Sequence, residues 1–145
     1  MTVEQVARDF IAMMNDPAKT LRSLTPDAVV GGGVLPQPIP AMEAFKIVGG
    51  LSDAMPDLKF NVTQVTVNGS QATVKAQWTG TQTRALSLPI PGMPTLPPTG
   101  KKVSVMDTYI VTVVGDKVSR MMVDSPAGGG IPGALAQLGV KTPAM

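Results

Sequence analysis

The chain has 145 residues, of which 43% are hydrophobic and 15% charged, with a formal net charge of +2; this is the size of one domain and too apolar for a disordered polymer. It contains no cysteine and no histidine, which excludes disulfides, thiol catalysis, a Ser-His-Asp triad and any zinc site built on cysteine or histidine. Aromatic residues are 3% and the longest basic run is Lys101-Lys102, so the basic patch and stacking bases' partners of a nucleic-acid binder are missing.

Thr2-Val3-Glu4-Gln5 reads as a capping box, and behind it Val3, Val6, Phe10 and Met14 recur at helical spacing, predicting a helix over residues 3–15. Asp16-Pro17 starts a second helix, with Leu21 and Leu24 on one side, and Thr25-Pro26 ends it. Ala28-Val29-Val30 is a short strand candidate that runs into Gly31-Gly32-Gly33 and a loop containing Pro36, Pro38 and Pro40. A third helix is expected from Ala41, with Met42, Phe45, Val48 and Met55 on one stripe and a stop at Pro56-Asp57. Its Gly49-Gly50 pair either weakens the middle, by about 1 kcal/mol per glycine relative to alanine, or permits close packing on a sheet.

From Leu58 the period falls to 2, with Leu58, Phe60 and Val62 alternating with polar residues, and Asn68-Gly69 supplies a two-residue hairpin turn. The next strand is expected from Gln71 to about Leu88, with Val74, Ala76, Trp78, Gly80 and Gln82 on one face and Lys75, Gln77, Thr79, Thr81 and Thr83 on the other. Residues 89–98 form a proline-rich loop, which like the loop 34–40 reads either as the rim of a pocket or as dimer contact. Strands over 102–114 and 117–124 follow, joined at Gly115-Asp116, and after glycines 128–130 a last helical turn spans Gly133 to Leu138. Helices first and an antiparallel meander after them mean a single α+β domain over 1–145, its helices packed on one face of a curved sheet that leaves a cavity at its wide end.

Two groups of residues carry candidate chemistry. Asp107 and Tyr109 share a face with Val103, Val105, Val111 and Val113; two polar groups among four valines point to a pocket, where a tyrosine hydroxyl and a carboxylic acid polarise a carbonyl, or else the tyrosine anchors itself structurally. Asp124 shares strand parity with Val118, Arg120 and Met122; on a pocket-lining face its pKa rises and it exchanges protons with a ketone, and otherwise it is a strand-ending surface residue. Arg120 reads as a counter-ion to Asp124, to Asp107 or to an anionic ligand. The ten methionines, Met106 and Met122 among them, are core filler or pocket lining. Trp78, Arg120, Met122 and Met106 are accordingly the candidate ligand contacts, with Asp124, Asp107 and Tyr109 as catalytic candidates.

Ala54-Met55-Pro56-Asp57-Leu58-Lys59-Phe60, then Trp78-Thr79-Gly80-Thr81, then Pro97-Pro98-Thr99-Gly100-Lys101-Lys102-Val103-Ser104, and finally Gln137-Leu138-Gly139-Val140, resemble the SnoaL-like polyketide cyclase family of the nuclear-transport-factor-2-like superfamily. The resemblance implies a cone-like mixed sheet closed around a hydrophobic pocket, a homodimer, and an intramolecular aldol ring closure in which an acid at the end of the last strand, here Asp124, is the acid/base. The expected function is a cyclase- or isomerase-like enzyme for a hydrophobic carbonyl compound, with no metal and no cofactor. The alternatives are a non-catalytic carrier of an apolar small molecule and a protein-interaction domain. Glu4, Arg8 and Asp9 argue against a signal peptide and no run reaches the ~18 apolar residues of a membrane span, so a cytoplasmic location is expected.

Overall fold

The capping box forms as read: the Gln5 amide donates to the Thr2 hydroxyl at 3.1 Å and the Thr2 amide donates back to the Gln5 side chain at 3.3 Å. It opens α1, Val3–Ala12, which ends three residues earlier than expected because Met13–Asn15 tighten into a turn. A computed structural model describes residues 2–32, 37–87, 95–125 and 130–139. After α1 come α2 (Pro17–Arg22), β1 (Leu24–Gly32), β2 (Ile39–Pro40), α3 (Ala41–Ala54), β3 (Lys59–Asn68), β4 (Gln71–Thr81), β5 (Lys102–Val114), β6 (Lys117–Asp124) and α4 (Gly130–Gln137). Parts of both proline-rich stretches, residues 33–36 and 88–94, and the glycines at 128 and 129 lie outside the described residues.

The six strands make one open sheet in the order β2-β1-β6-β5-β4-β3. Every neighbouring pair is antiparallel except β1 and β6, which are parallel. Bulges interrupt the ladders between Leu24 and Val29, Val62 and Gln64, and Thr112 and Val113; each adds local twist and bends the sheet. Period-2 patterning places Ala72, Val74, Ala76 and Trp78 of β4 and Val103, Val105, Tyr109, Val111 and Val113 of β5 on the inner face, all buried. α1 and α3 cover that face, meeting edge-on through Phe10 and Phe45 with ring centroids 5.8 Å apart. The architecture is α+β, as the element order predicts.

Several local readings shift. The β3–β4 turn is centred on Gly69-Ser70, closed by the Asn68–Gln71 pair, and only Gly69 has positive φ, at 63°; that is the pattern of a II′ turn, which wants glycine first. β1 is longer than the three residues expected and begins where the second helix had been expected to continue, at Leu24. α3 runs unbroken through Gly49-Gly50, and nothing approaches within 4 Å of the position a Cβ would take at Gly49. Its inner stripe is Ala41, Ala44, Phe45, Ile47, Leu51 and Ala54, so Met42, in the first turn, is 70% exposed. β4 stops at Thr81 because Gln82, fully buried, turns to hold the chain that follows: its side-chain amide donates to the carbonyls of Arg84, Leu96 and Pro97, and Thr99 donates to its oxygen at 2.7 Å. Beyond the last β5–β6 pair, Gln137 of α4 takes a strand's place on β5, exchanging two 2.9 Å bonds with the Ser104 backbone.

The parallel β1–β6 pair depends on one glycine. Gly32 sits at φ +80° opposite Val123, and a Cβ there lies 2.2 Å from the Val123 carbonyl oxygen. Gly32→Ala is therefore expected to cost at least about 2 kcal/mol, from left-handed strain and forced separation of the strands. Urea unfolding checks this; an unchanged midpoint contradicts so close an approach.

Candidate functional site

The alternation of β4 and β5 brings three side chains to one spot. Asp107 and Tyr109 lie two residues apart on the inner face of β5, and Trp78 lies diagonally across on β4. On the other side β6 pairs Tyr109 with Val123 and Thr108 with Asp124, which sets Ser125 opposite Asp107. The Trp78 indole donates to Asp107 Oδ2 at 2.9 Å, the Tyr109 hydroxyl donates to the same oxygen at 3.3 Å, and the Ser125 hydroxyl donates to Oδ1 at 2.6 Å. Asp107 is 5% exposed, Tyr109 4% and Trp78 2%. No buried side-chain polar atom among the described residues lacks a partner.

This cluster forms the polar wall of a cavity of about 90 Å³. The apolar walls are Met14 of the turn after α1, Val30 of β1, Ala44, Phe45, Ile47, Val48 and Leu51 of α3, Phe60 of β3 and Met121 and Val123 of β6. Val48, Gly32, Val123 and Ser125 are the half-buried members of the lining. The cavity therefore opens between α3 and the ends of the parallel pair, while Trp78, Asp107 and Tyr109 form its floor.

Burial drives the electrostatics. Removal from water pushes the Asp107 carboxyl above its usual range, against the opposing pull of the hydrogen bonds from Ser125, Trp78 and Tyr109. Burial, and then the charge and hydrogen bond of Asp107, hold the Tyr109 phenol well above its ordinary value. A carboxyl whose pKa is higher folded than unfolded supports folding below the unfolded pKa, and that support is lost as pH rises through the folded pKa. Compared with Asp107→Asn, the wild-type protein should thus lose unfolding free energy as pH climbs from the ordinary carboxylate range to the raised value. Urea titrations of both proteins across that window read the difference; a flat difference removes the desolvation argument.

Of the seven residues singled out from sequence, the structure brings Asp107, Tyr109 and Trp78 together and leaves four elsewhere. Asp124 and Arg120 are exposed, Met122 is half buried against Gly31, and Met106 is 39% exposed on the outer face of β5. The cause on β6 is the bulge: Val113 pairs with Val118 but Thr112 pairs with Arg120, so Ser119 is an extra residue. Past it the parity reverses, and Met121, Val123 and Ser125 face inward in place of Arg120, Met122 and Asp124. Met106 is simply one step out of phase with Asp107. Ser125 went unnoticed in the sequence because only the reversed parity places it beside Asp107. Among the described residues no three acidic side chains cluster as metal ligands would, and no helix is long and apolar enough to cross a membrane.

Residues 5–122 match the family model of the SnoaL-like polyketide cyclases. No curated protein matches the chain in sequence. Among solved structures, AclR, a candidate hydroxylase from Streptomyces galilaeus, is similar with a TM-score of 0.74 and 19% identity, over 94% of this chain and 95% of that one. IdmH, a candidate polyketide cyclase from Streptomyces antibioticus, gives a TM-score of 0.72 and 21% identity over 97% and 100%. A candidate SnoaL-like polyketide cyclase from Jannaschia gives 0.63 and 22% over 88% and 90%. At these identities the likeness is one of fold.

Proposed function

The chain belongs to the SnoaL-like polyketide cyclase family, and from that premise we propose that its cavity takes up an apolar carbonyl compound with which Asp107 exchanges a proton, in cofactor-independent chemistry of the cyclase or isomerase kind. The observation that carries this is a single carboxyl, 5% exposed and raised in pKa, set into an apolar cavity. Such a group is poised nearer neutrality than a surface carboxylate, which favours proton transfer in both directions.

In the forward step ionised Asp107 accepts a proton from the carbon next to the substrate carbonyl. The C–H bond breaks, an O–H bond forms on the carboxyl, and the electron pair moves to the carbonyl oxygen as an enolate. A neutral Asp107 holds its three donors less strongly, and the Tyr109 hydroxyl, with the longest of the three bonds at 3.3 Å, is the one free to turn to the enolate oxygen. The enolate carbon then attacks a second carbonyl, closing a ring through a new C–C bond as that carbonyl's π electrons pass to its oxygen, which takes the proton from Asp107; in an isomerisation the enolate instead takes that proton back at another carbon. A homodimer and a cytoplasmic location belong to the same reading.

A non-catalytic carrier of an apolar ligand is the second reading. It is favoured by the commitment of all three donors to Asp107, which leaves none preset for a developing oxyanion. Deuterium exchange next to the carbonyl of small apolar ketones in heavy water separates the two. Exchange above the buffer rate supports the enzyme, whereas binding without exchange leaves the carrier.

A further inference from the structure

Ionised Asp107 only accepts, and its two oxygens offer about four lone-pair positions. Trp78 and Tyr109 fill Oδ2 and Ser125 fills one position on Oδ1. Those three are the side-chain donors in the lining, and each has a single hydrogen to give. What the wall still offers is therefore acceptors: one position on Oδ1 and the lone pairs of two hydroxyls. Among the described residues Tyr109 is the only other titratable group in the lining; the turn after α1, α3, β1, β3 and the residue after β6 present Met14, Phe45, Val30, Phe60 and Ser125, none of them charged.

We propose that, with Asp107 ionised, the cavity selects small apolar molecules carrying one hydrogen-bond donor, a hydroxyl or an ammonium group, over ketones of the same shape. A donor meets the open position on Oδ1, while a ketone oxygen meets only acceptors and loses its water without replacement. Protonation of Asp107 narrows the difference by making its own proton available to a ketone. The volume, about 90 Å³, suits the four-carbon scale; a dry cavity of ~150 Å³ in another protein accommodates benzene. The inference rests on the cavity being the binding site, as in the proposed function, but needs no turnover.

The test uses butan-2-ol, butan-2-amine and butan-2-one, near-isosteric probes, titrated into the full chain. Trp78 is the only tryptophan, and its indole N–H bonded to Asp107 gives one NMR signal that reports occupancy. At a pH where Asp107 is ionised, the alcohol or the amine should bind at least about tenfold tighter than the ketone, and the margin should narrow as pH falls through the Asp107 titration. A stronger amine than alcohol identifies a cation as the preferred donor. In Asp107→Asn, whose amide both donates and accepts, the alcohol–ketone margin should fall to about twofold or less. Equal binding of alcohol and ketone by the wild-type protein, a margin that ignores pH, or no binding of any probe overturns the proposal. The wild-type pH series decides even if the variant does not fold. Loss of deuterium exchange with the donor preference intact removes the enzymatic reading alone.

Discussion

Asp107→Asn is expected to lower the rate of α-deuterium exchange by about 10²- to 10⁴-fold, the range attributed to one positioned acid/base, while the protein remains folded. Asparagine has the same shape, and one orientation of its amide keeps a hydrogen bond to each of the three neighbours. Its oxygen accepts from Trp78 and Tyr109 in place of Oδ2, and its amide donates to the Ser125 hydroxyl in place of Oδ1. What it cannot do is take up a proton. Asp124→Asn is the companion variant: on the exposed outer side of β6, it should leave exchange within about twofold, the size of effect typical of a surface change. An Asp107→Asn protein that exchanges at the wild-type rate removes Asp107 from the chemistry. Collapse in Asp124→Asn instead returns the acid/base role to the end of the last strand.

Trp78→Ala should be the most destabilising single truncation, at about 4 kcal/mol. The side chain is 2% exposed and packs against Phe60 with ring centroids 6.1 Å apart. Its removal enlarges the cavity into the centre of the sheet and also takes a donor from a buried carboxyl. The two effects separate with Trp78→Phe, which keeps most of the volume and loses only the donor; about 2 kcal/mol is expected there. In both variants the Asp107 carboxyl should rise further, because one of the hydrogen bonds opposing its desolvation is gone. Urea unfolding measures the first quantity and carboxyl NMR titration the second. A Trp78→Ala protein within about 1 kcal/mol of wild type, the effect of an ordinary substitution, contradicts the tight inner packing described.

The parts of this structure legible in the sequence are those governed by local periodicity. β5 and β6 fall at the expected residues, and Asp107 and Tyr109 share the valine-rich inner face because period 2 holds without interruption from Val103 to Val113. The capping box and the stop of α3 before Pro56 are likewise local. What escaped depends on pairing between strands. Nothing within Lys117–Asp124 announces that Ser119 opposes no residue on β5; the bulge is fixed by the register of Val113 with Val118 and Thr112 with Arg120. Counting alternate residues from Val118 therefore leads to Arg120, Met122 and Asp124, all on the wrong side of the sheet. Ser125 was hidden by the same fact. The stop of β4 at Thr81 was missed for a related reason, since the role of Gln82 is defined by carbonyls fourteen and fifteen residues further on.

The extra residue at Ser119 also bears on how this pocket can evolve. Deleting that one codon would make Val113–Val118 and Thr112–Arg120 consecutive pairs of an unbroken ladder, so Met121, Val123 and Ser125 would keep facing inward while the local bend is lost. A lineage that keeps this residue but pairs it regularly with Thr112 would instead face Arg120, Met122 and Asp124 inward, exchanging three lining residues with no substitution among them. Any residue-by-residue transfer of roles along this strand must first establish on which side of such an insertion each chain stands.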